Sequence, residues 1–120
     1  MARLGNLEKN IMDILWDSQN PVSAKELLEE INKDYSKKLA ITTVLTVLSR
    51  LESKNLVIRN RAARPHLYSP SASRSDHTAQ LIHQVLNDSQ DRAAVLTHFV
   101  GNVSSEEAVL LRKLLEDNVR

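Results

Sequence analysis

A run of short hydroxyl side chains followed by one arginine is the most distinctive chemistry in this sequence. Thr42, Thr43 and Thr46 precede Arg50, and we expect all four on the outward side of one helix. Threonine favours a helix less than Glu or Lys, which normally cover a solvated face. Short polar side chains let a helix backbone approach another surface, and arginine can donate two hydrogen bonds to a guanine. The pattern predicts a helix that reads DNA bases, with a solvated helix that happens to contain threonine as the alternative.

The basic residues concentrate around this helix. The chain of 120 residues carries a net charge of +1, yet residues 37–66 contain seven basic side chains and one acidic one. The flanking stretches 1–36 and 67–120 carry net charges of −3 and −2. Such a block is the electrostatic footprint of phosphate binding, and solubilising charges on an exposed hairpin are the alternative. Beyond the hydroxyl run, the expected DNA-binding residues are Lys54, Arg59, Arg61 and Arg64.

No combination of residues indicates catalysis or a bound metal. The four histidines are scattered, and none belongs to an HExxH or a nucleophile motif. Two glycines are too few for a glycine-rich phosphate loop, and zero cysteines exclude disulfides and thiolate metal sites. No apolar run approaches the roughly 18 residues that span a bilayer, and a secretion signal is absent. We therefore expect a cytoplasmic, non-enzymatic protein without cofactor or metal that does not insert into membranes.

The elements that position the hydroxyl run are predicted from apolar spacing. A first helix over about residues 7–16 is stopped by Asn20-Pro21, and Ser23 and Glu26 form a capping box for a second helix. A third helix, roughly residues 41–54, carries the hydroxyl run. Its inward residues recur at i, i+3, i+4 and i+7. They are Val44, Val47, Leu48 and Leu51.

A hairpin follows the third helix. Residues 56–59 are predicted as a strand, 62–65 as a turn, and 66–68 as the returning strand. Pro65 in the returning arm favours an edge hairpin, where the N–H that proline lacks is not needed. Three helices followed by a basic hairpin is the order of a winged helix-turn-helix. The fold class is therefore mainly α, with a small β-hairpin wing and a C-terminal helical region.

The serine-rich stretch after residue 69 is the best domain boundary. We expect residues 1–72 to form a winged-helix DNA-binding domain and residues 73–120 a helical dimerisation region. Three short amphipathic helices of under 50 residues cannot bury their apolar faces alone, so a second copy is expected to cover them. The residues expected in this homodimer contact are Ile82, Val85, Leu86, Val95, Phe99, Leu111, Leu114 and Leu115.

Three stretches of the chain resemble a known family over nearly its whole length. They are Leu4-Gly5-x-Leu7-Glu8-x-x-Ile11-Met12-x-x-Leu15-Trp16, Ala40-Ile41-Thr42-Thr43-Val44-x-Thr46-x-Leu48-x-Arg50-Leu51-x-x-Lys54, and Ala94-Val95-Leu96-x-x-Phe99-Val100. In order and spacing they are similar to the penicillinase-repressor family (BlaI, MecI and CopY) of winged-helix transcriptional regulators. The basic hairpin ending in Tyr68 lies where that family has its wing.

The resemblance implies a dimeric repressor that binds inverted repeats with TACA/TGTA halves. In the beta-lactam branch, a penicillin-sensing membrane metalloprotease triggers cleavage before a phenylalanine, which corresponds to the His98–Phe99 bond here. Family members often have asparagine at the position of His98. The copper-responsive branch ends in a cysteine-rich metal hook, which a chain without cysteine lacks.

The sequence is compatible with two functions from different classes. The first is a dimeric transcriptional repressor, released from DNA when a sensor pathway cleaves or loosens the C-terminal region. The alternative is a winged-helix protein-interaction module that does not bind DNA and uses its basic block for an acidic protein. A small hydrolase has no supporting constellation of residues.

Overall fold

The computed structural model describes residues 5–33 and 38–118, so Lys37 of the basic block and Leu4 lie outside the described residues. Within those ranges the chain forms six helices and three strands. Contacts group the chain into two compact units, Met1–Leu81 and Ile82–Arg120. The elements in chain order are α1 Asn6–Asp17, β1 Val22–Ser23, α2 Ala24–Asn32, α3 Ile41–Ser53, β2 Val57–Asn60, β3 Leu67–Pro70, α4 Arg74–Asn87, α5 Arg92–Gly101 and α6 Ser105–Asn118.

The core of the first unit lies where α1, α2 and α3 meet the sheet. Ile11, Leu27 and Leu48 are completely buried in it. Burial of each such side chain contributes about 1.5–3 kcal/mol. The four inward residues predicted for α3 all belong to this core, so the outward face of the helix is fixed by the packing of the inward one.

Capping explains where the helices begin. The Ser23 hydroxyl accepts a hydrogen bond from the Glu26 amide at 3.2 Å, and the Glu26 carboxylate accepts one from the Ser23 amide at 3.0 Å. This is the predicted capping box of α2. At α1, the Glu8 carboxylate accepts from the Gly5 amide at 3.2 Å. At the end of α3, Asn55 takes a positive φ of 63°, a conformation that asparagine tolerates better than most residues.

The sheet differs from the predicted two-stranded hairpin. It has three antiparallel strands in the order β1-β3-β2, with Tyr68 of β3 opposite both Val22 and Arg59. The returning strand is therefore central, so the edge-hairpin prediction is right for β2 and wrong for β3. Pro65 precedes β3 in the connection, where its missing N–H is not required by the ladder. With only two residues, β1 is too short to show the alternation that identifies a strand.

The first unit includes the first turns of α4. Arg74 lies 3.0 Å from the Asp17 carboxylate and stacks over the Trp16 ring at 5.4 Å. His77 is buried against the same ring, with the centroids 5.3 Å apart. The predicted boundary between residues 72 and 73 falls just before α4, and the unit itself continues to Leu81.

The second unit has helix caps but no core of its own. The Asp91 carboxylate caps α5 by accepting from the Ala94 amide at 3.0 Å, and Ser104 and Glu107 form a capping box for α6. Over residues 82–118 no side chain is buried. None of the helices in the described residues is long and apolar enough to cross a bilayer.

Candidate nucleic-acid interface

The outward face of α3 presents the predicted polar residues to solvent. Thr42, Thr43, Thr46 and Arg50 are all exposed, because the opposite side of the helix is locked into the core. One end of this face, continuing past the helix terminus, forms a shallow, open concavity of about 440 Å³. The residues that line the concavity are Thr46, Ser49, Arg50, Ser53 and Lys54.

Arg50 is the side chain on this face that is best placed to donate hydrogen bonds outward. It makes no hydrogen bond or ion pair with any described residue, although its charge acts on the Glu8 carboxylate. Thr46 differs, since its hydroxyl donates to the Thr42 carbonyl at 2.8 Å. That bond satisfies the hydroxyl proton and leaves the oxygen as an acceptor. Arg50 can therefore use its whole guanidinium for an external partner.

Lys54 is engaged within the protein. Its ammonium lies 2.8 Å from the Glu8 carboxylate, whose side chain is only 15% exposed. The hydrogen bond from Lys54 is the main cause that lowers the pKa of Glu8, and the Gly5 amide and the charges of Lys54 and Arg50 act in the same direction. Sequence reasoning missed this role of Glu8, because the two partners are 46 positions apart and no local pattern connects them.

The three predicted wing arginines have different surroundings. Arg59 is 18% exposed, pairs with the Glu52 carboxylate and lies over the Tyr68 ring at 5.5 Å. Arg61 donates to the other oxygen of Glu52 at 3.2 Å but stays 64% exposed. Arg64 donates to the Arg61 carbonyl at 2.6 Å and remains exposed. Arg61 and Arg64 thus lie at the surface of the connection between β2 and β3, and Arg59 lies at the base of the wing.

The residues predicted for the homodimer contact lie in the second unit, and six of the eight are exposed. Phe99 is 55% exposed and Leu115 is 63% exposed, and Leu86 and Leu111 are half-buried. His98 and Phe99 both lie inside α5 and are exposed. Further apolar residues that sequence reasoning left out are also exposed. They are Leu96, Val100, Val109 and Leu110 in this unit, and Leu45 on α3.

The described part of the chain shows no constellation for catalysis. No group of three or more histidine, aspartate or glutamate side chains among residues 5–33 and 38–118 is placed to hold a metal ion. The buried His77 contacts Trp16 rather than a nucleophile. A helix with a polar, outward face beside a basic three-stranded wing defines the winged-helix fold of transcriptional regulators.

Comparison with known proteins gives the family. The model of the penicillinase repressor family matches residues 4–117, and the chain belongs to this family. It is 40% identical over 120 residues to the transcriptional regulator BlaI of Mycobacterium tuberculosis, covering 98% of this chain and 86% of that protein. It is 27% identical over 114 residues to the penicillinase repressor of Staphylococcus aureus, covering 92% and 88%. A MarR family protein from Bacillus stearothermophilus superimposes with a TM-score of 0.49 at 18% identity, covering 97% of this chain and 73% of that one.

The predicted family resemblance is therefore confirmed. The chain is a transcriptional repressor with a winged-helix DNA-binding fold, and it is not an enzyme. Membership in a family of regulators disfavours the alternative of an interaction module that never binds DNA.

Proposed function

We propose that this repressor binds, as a homodimer, an inverted-repeat operator with TACA/TGTA-like halves and reads each half with α3. The observation that carries the proposal is the exposed polar face of α3, on which Arg50 makes no hydrogen bond or ion pair with the described residues. Arg50 donates two hydrogen bonds to a base edge in the major groove. Thr42 and Thr43 contact base edges, phosphates or a thymine methyl beside it. Thr46, whose hydroxyl proton is donated within the helix, accepts from a base amino group or contacts a thymine methyl.

The wing supplies the phosphate contacts in this proposal. Arg61 and Arg64 are exposed at its surface. Their contacts with phosphates do not depend on the base sequence. With roughly three phosphate contacts in each protomer, a dimer neutralises about six phosphates. Counterion release then gives a slope of about −5 for log K against log salt, since each contact contributes about −0.9.

The test is a binding titration against two DNA duplexes over a range of salt concentrations. One duplex is the sequence that the protein enriches from a random pool, and the other is a scrambled duplex of equal length. We expect tight, sequence-dependent binding to the first and a slope near −5. Equal affinity for both duplexes refutes base reading by α3, and a slope near zero refutes the phosphate contacts.

We propose that the second unit joins the two protomers. Its helices α5 and α6 are too short to be stable alone and leave Phe99, Leu114 and Leu115 exposed in the single chain. A second copy covers this apolar surface. Two half-sites about one helical turn apart, roughly 34–36 Å, are then held together by the linkage of the protomers. Linkage raises the effective concentration of the second winged helix and so raises operator affinity.

Release follows from loss of that linkage. We propose that a sensor pathway, involving a membrane metalloprotease that acts directly or indirectly, cleaves or loosens the C-terminal unit. Cleavage between His98 and Phe99 detaches α6 and the end of α5. Because this bond lies inside α5, the helix must open locally before a protease can bind it. The reading face of α3 is unchanged by the cut.

A further inference from the structure

Glu52 is the acidic residue inside the basic block of residues 37–66. It lies on α3 and is 28% exposed, and both of its carboxylate oxygens are used. One oxygen binds Arg59 and the other binds Arg61 at 3.2 Å. Arg59 lies in β2 and Arg61 follows its last residue. A single carboxylate on α3 therefore binds both the end of the strand and the start of the connection to β3.

Arg59 shows how closely the wing depends on this carboxylate. Its guanidinium lies over the Tyr68 ring, and Tyr68 is 3% exposed in the central strand. The Arg59 Nε atom is buried without a hydrogen-bond partner. A partly buried guanidinium needs a nearby negative charge, because leaving a buried charge unpaired is strongly unfavourable. Glu52 supplies that charge, so its loss releases Arg59 from the base of the wing.

Arg61 shows what the carboxylate holds in place. One of its Nη atoms is bound to Glu52, and 64% of the side chain remains exposed. A guanidinium has five N–H donors in a fixed plane, so one bond to Glu52 leaves donors for a phosphate. The ion pair orients the Arg61 side chain relative to α3.

We propose that Glu52 is a positioning residue for DNA binding, which aligns the Arg61 side chain of the wing with the reading helix α3. This inference rests on the proposed function, in which Arg61 contacts phosphate. The proposal predicts that loss of Glu52 changes DNA affinity in the direction opposite to that expected from simple charge repulsion. Removing a carboxylate close to DNA raises the positive potential and strengthens binding if Glu52 acts only through its charge. Binding weakens if Glu52 acts by holding Arg61.

The experiment measures operator and scrambled-duplex affinity for Glu52→Gln, Arg61→Ala and the double variant. Glu29→Gln is the matched control, because Glu29 is exposed on α2 and its loss raises the net charge by the same amount. We expect Glu52→Gln to weaken binding to both duplexes at least about threefold. Its salt slope should fall in magnitude by up to about 1.8, one phosphate contact in each protomer. Glu29→Gln should show neither change.

The double variant separates positioning from other effects. If Glu52 acts through Arg61, adding Glu52→Gln to Arg61→Ala causes no further loss. Additive losses, or binding by Glu52→Gln as tight as that of the unaltered chain, overturn the proposal. An Arg61→Ala variant that binds normally also overturns it, and then the wing part of the proposed function fails with it. Failure of the unaltered chain to prefer its enriched duplex is a different result, which refutes base reading.

If Glu52→Gln does not fold, Glu52→Asp provides a second test of the positioning role. Aspartate preserves the charge but is one methylene shorter, so we expect it to lose the bond to Arg61, which is already at 3.2 Å. We expect Glu52→Asp to melt cooperatively and to lose affinity and salt slope in the same direction as Glu52→Gln. Unchanged operator affinity in a folded Glu52→Asp variant overturns the positioning role.

Discussion

Replacing Arg50 by alanine tests the reading helix with little disturbance of the fold. Arg50 is exposed and makes no hydrogen bond or ion pair with the described residues, so the fold loses only the attraction of its charge to the Glu8 carboxylate and to the end of the helix. The better helix propensity of alanine offsets part of this loss. The thermal midpoint of Arg50→Ala should therefore lie close to that of the unaltered chain. Any loss of operator affinity then belongs to the DNA contact.

The size of that loss follows from the proposed contact. A bidentate arginine–guanine pair contributes about 1–3 kcal/mol of discrimination. A dimer on two half-sites loses it twice, or about 2–6 kcal/mol. The lower limit corresponds to an affinity loss of roughly 25-fold. The loss should be confined to the enriched duplex, and discrimination should disappear at one base pair in each half-site.

Lys54→Ala is the matched comparison at the end of the same helix. Lys54 is also basic, but its ammonium is bound to Glu8 at 2.8 Å. The ammonium keeps two free donors, but Glu8 already balances its charge, so the net gain from a phosphate contact is small. We expect a loss of at most about 1 kcal/mol, equal on enriched and scrambled duplexes.

Fluorescence anisotropy with labelled duplexes measures both variants under one salt condition. The decisive quantity is the ratio of affinities for the enriched duplex and for duplexes with single-base changes. Arg50→Ala should reduce this ratio at one position and Lys54→Ala should leave it unchanged. Equal losses on enriched and scrambled DNA for Arg50→Ala would show that Arg50 does not read a base, although its guanidinium is unbound in the protein.

Two further predictions concern the protomer contact and the ion pair at α1. Truncation after His98 should leave the winged helix folded but monomeric, with operator affinity lower by at least about tenfold, or roughly 1.4 kcal/mol. Sedimentation together with a gel shift measures this, and a truncated dimer that binds normally contradicts it. The lowered pKa of Glu8 means that its ion pair with Lys54 stabilises the fold near neutral pH and is lost as pH falls through that lowered pKa. The thermal midpoint of the unaltered chain should exceed that of Glu8→Gln at pH 7. The difference should shrink once the pH falls below 4.5, the ordinary pKa of glutamate. A difference that does not change with pH contradicts the role of this ion pair.

The features that sequence reasoning predicted correctly are local in the chain. The inward face of α3 was predicted because Leu48 and its neighbours recur at the helical period, and those residues form the core. The outward face followed directly from the inward one. The capping box at Ser23 was predicted because its two partners are three positions apart, which a one-dimensional pattern records.

The features that it missed depend on contacts between distant residues or on very short elements. The strand Val22–Ser23 has two residues, and a period of two cannot be recognised in two positions. The ion pair of Glu8 with Lys54 joins the first helix to the end of the third, and only the fold brings them together. The contact between Glu52 and Arg59 depends on the direction in which β2 runs after α3 ends, and residue spacing does not predict that direction.

These contacts change how many residues of the basic block are available to bind phosphates. Seven basic residues in 37–66 would give a dimer fourteen phosphate contacts and a slope of about −13 if all of them bound DNA. In the structure Lys54 is bound to Glu8 and Arg59 is bound to Glu52, and in the proposed function Arg50 binds a base rather than a phosphate. Arg61 and Arg64 of the wing remain, together with Lys38, whose ammonium donates to the Asn32 carbonyl at 2.6 Å, and Lys37, which lies outside the described residues. Phosphate contact by all four in each protomer gives a slope of about −7, and the proposed three contacts in each protomer give about −5. Glu8 and Glu52, which bind Lys54 and Arg59, therefore account for part of the difference from −13.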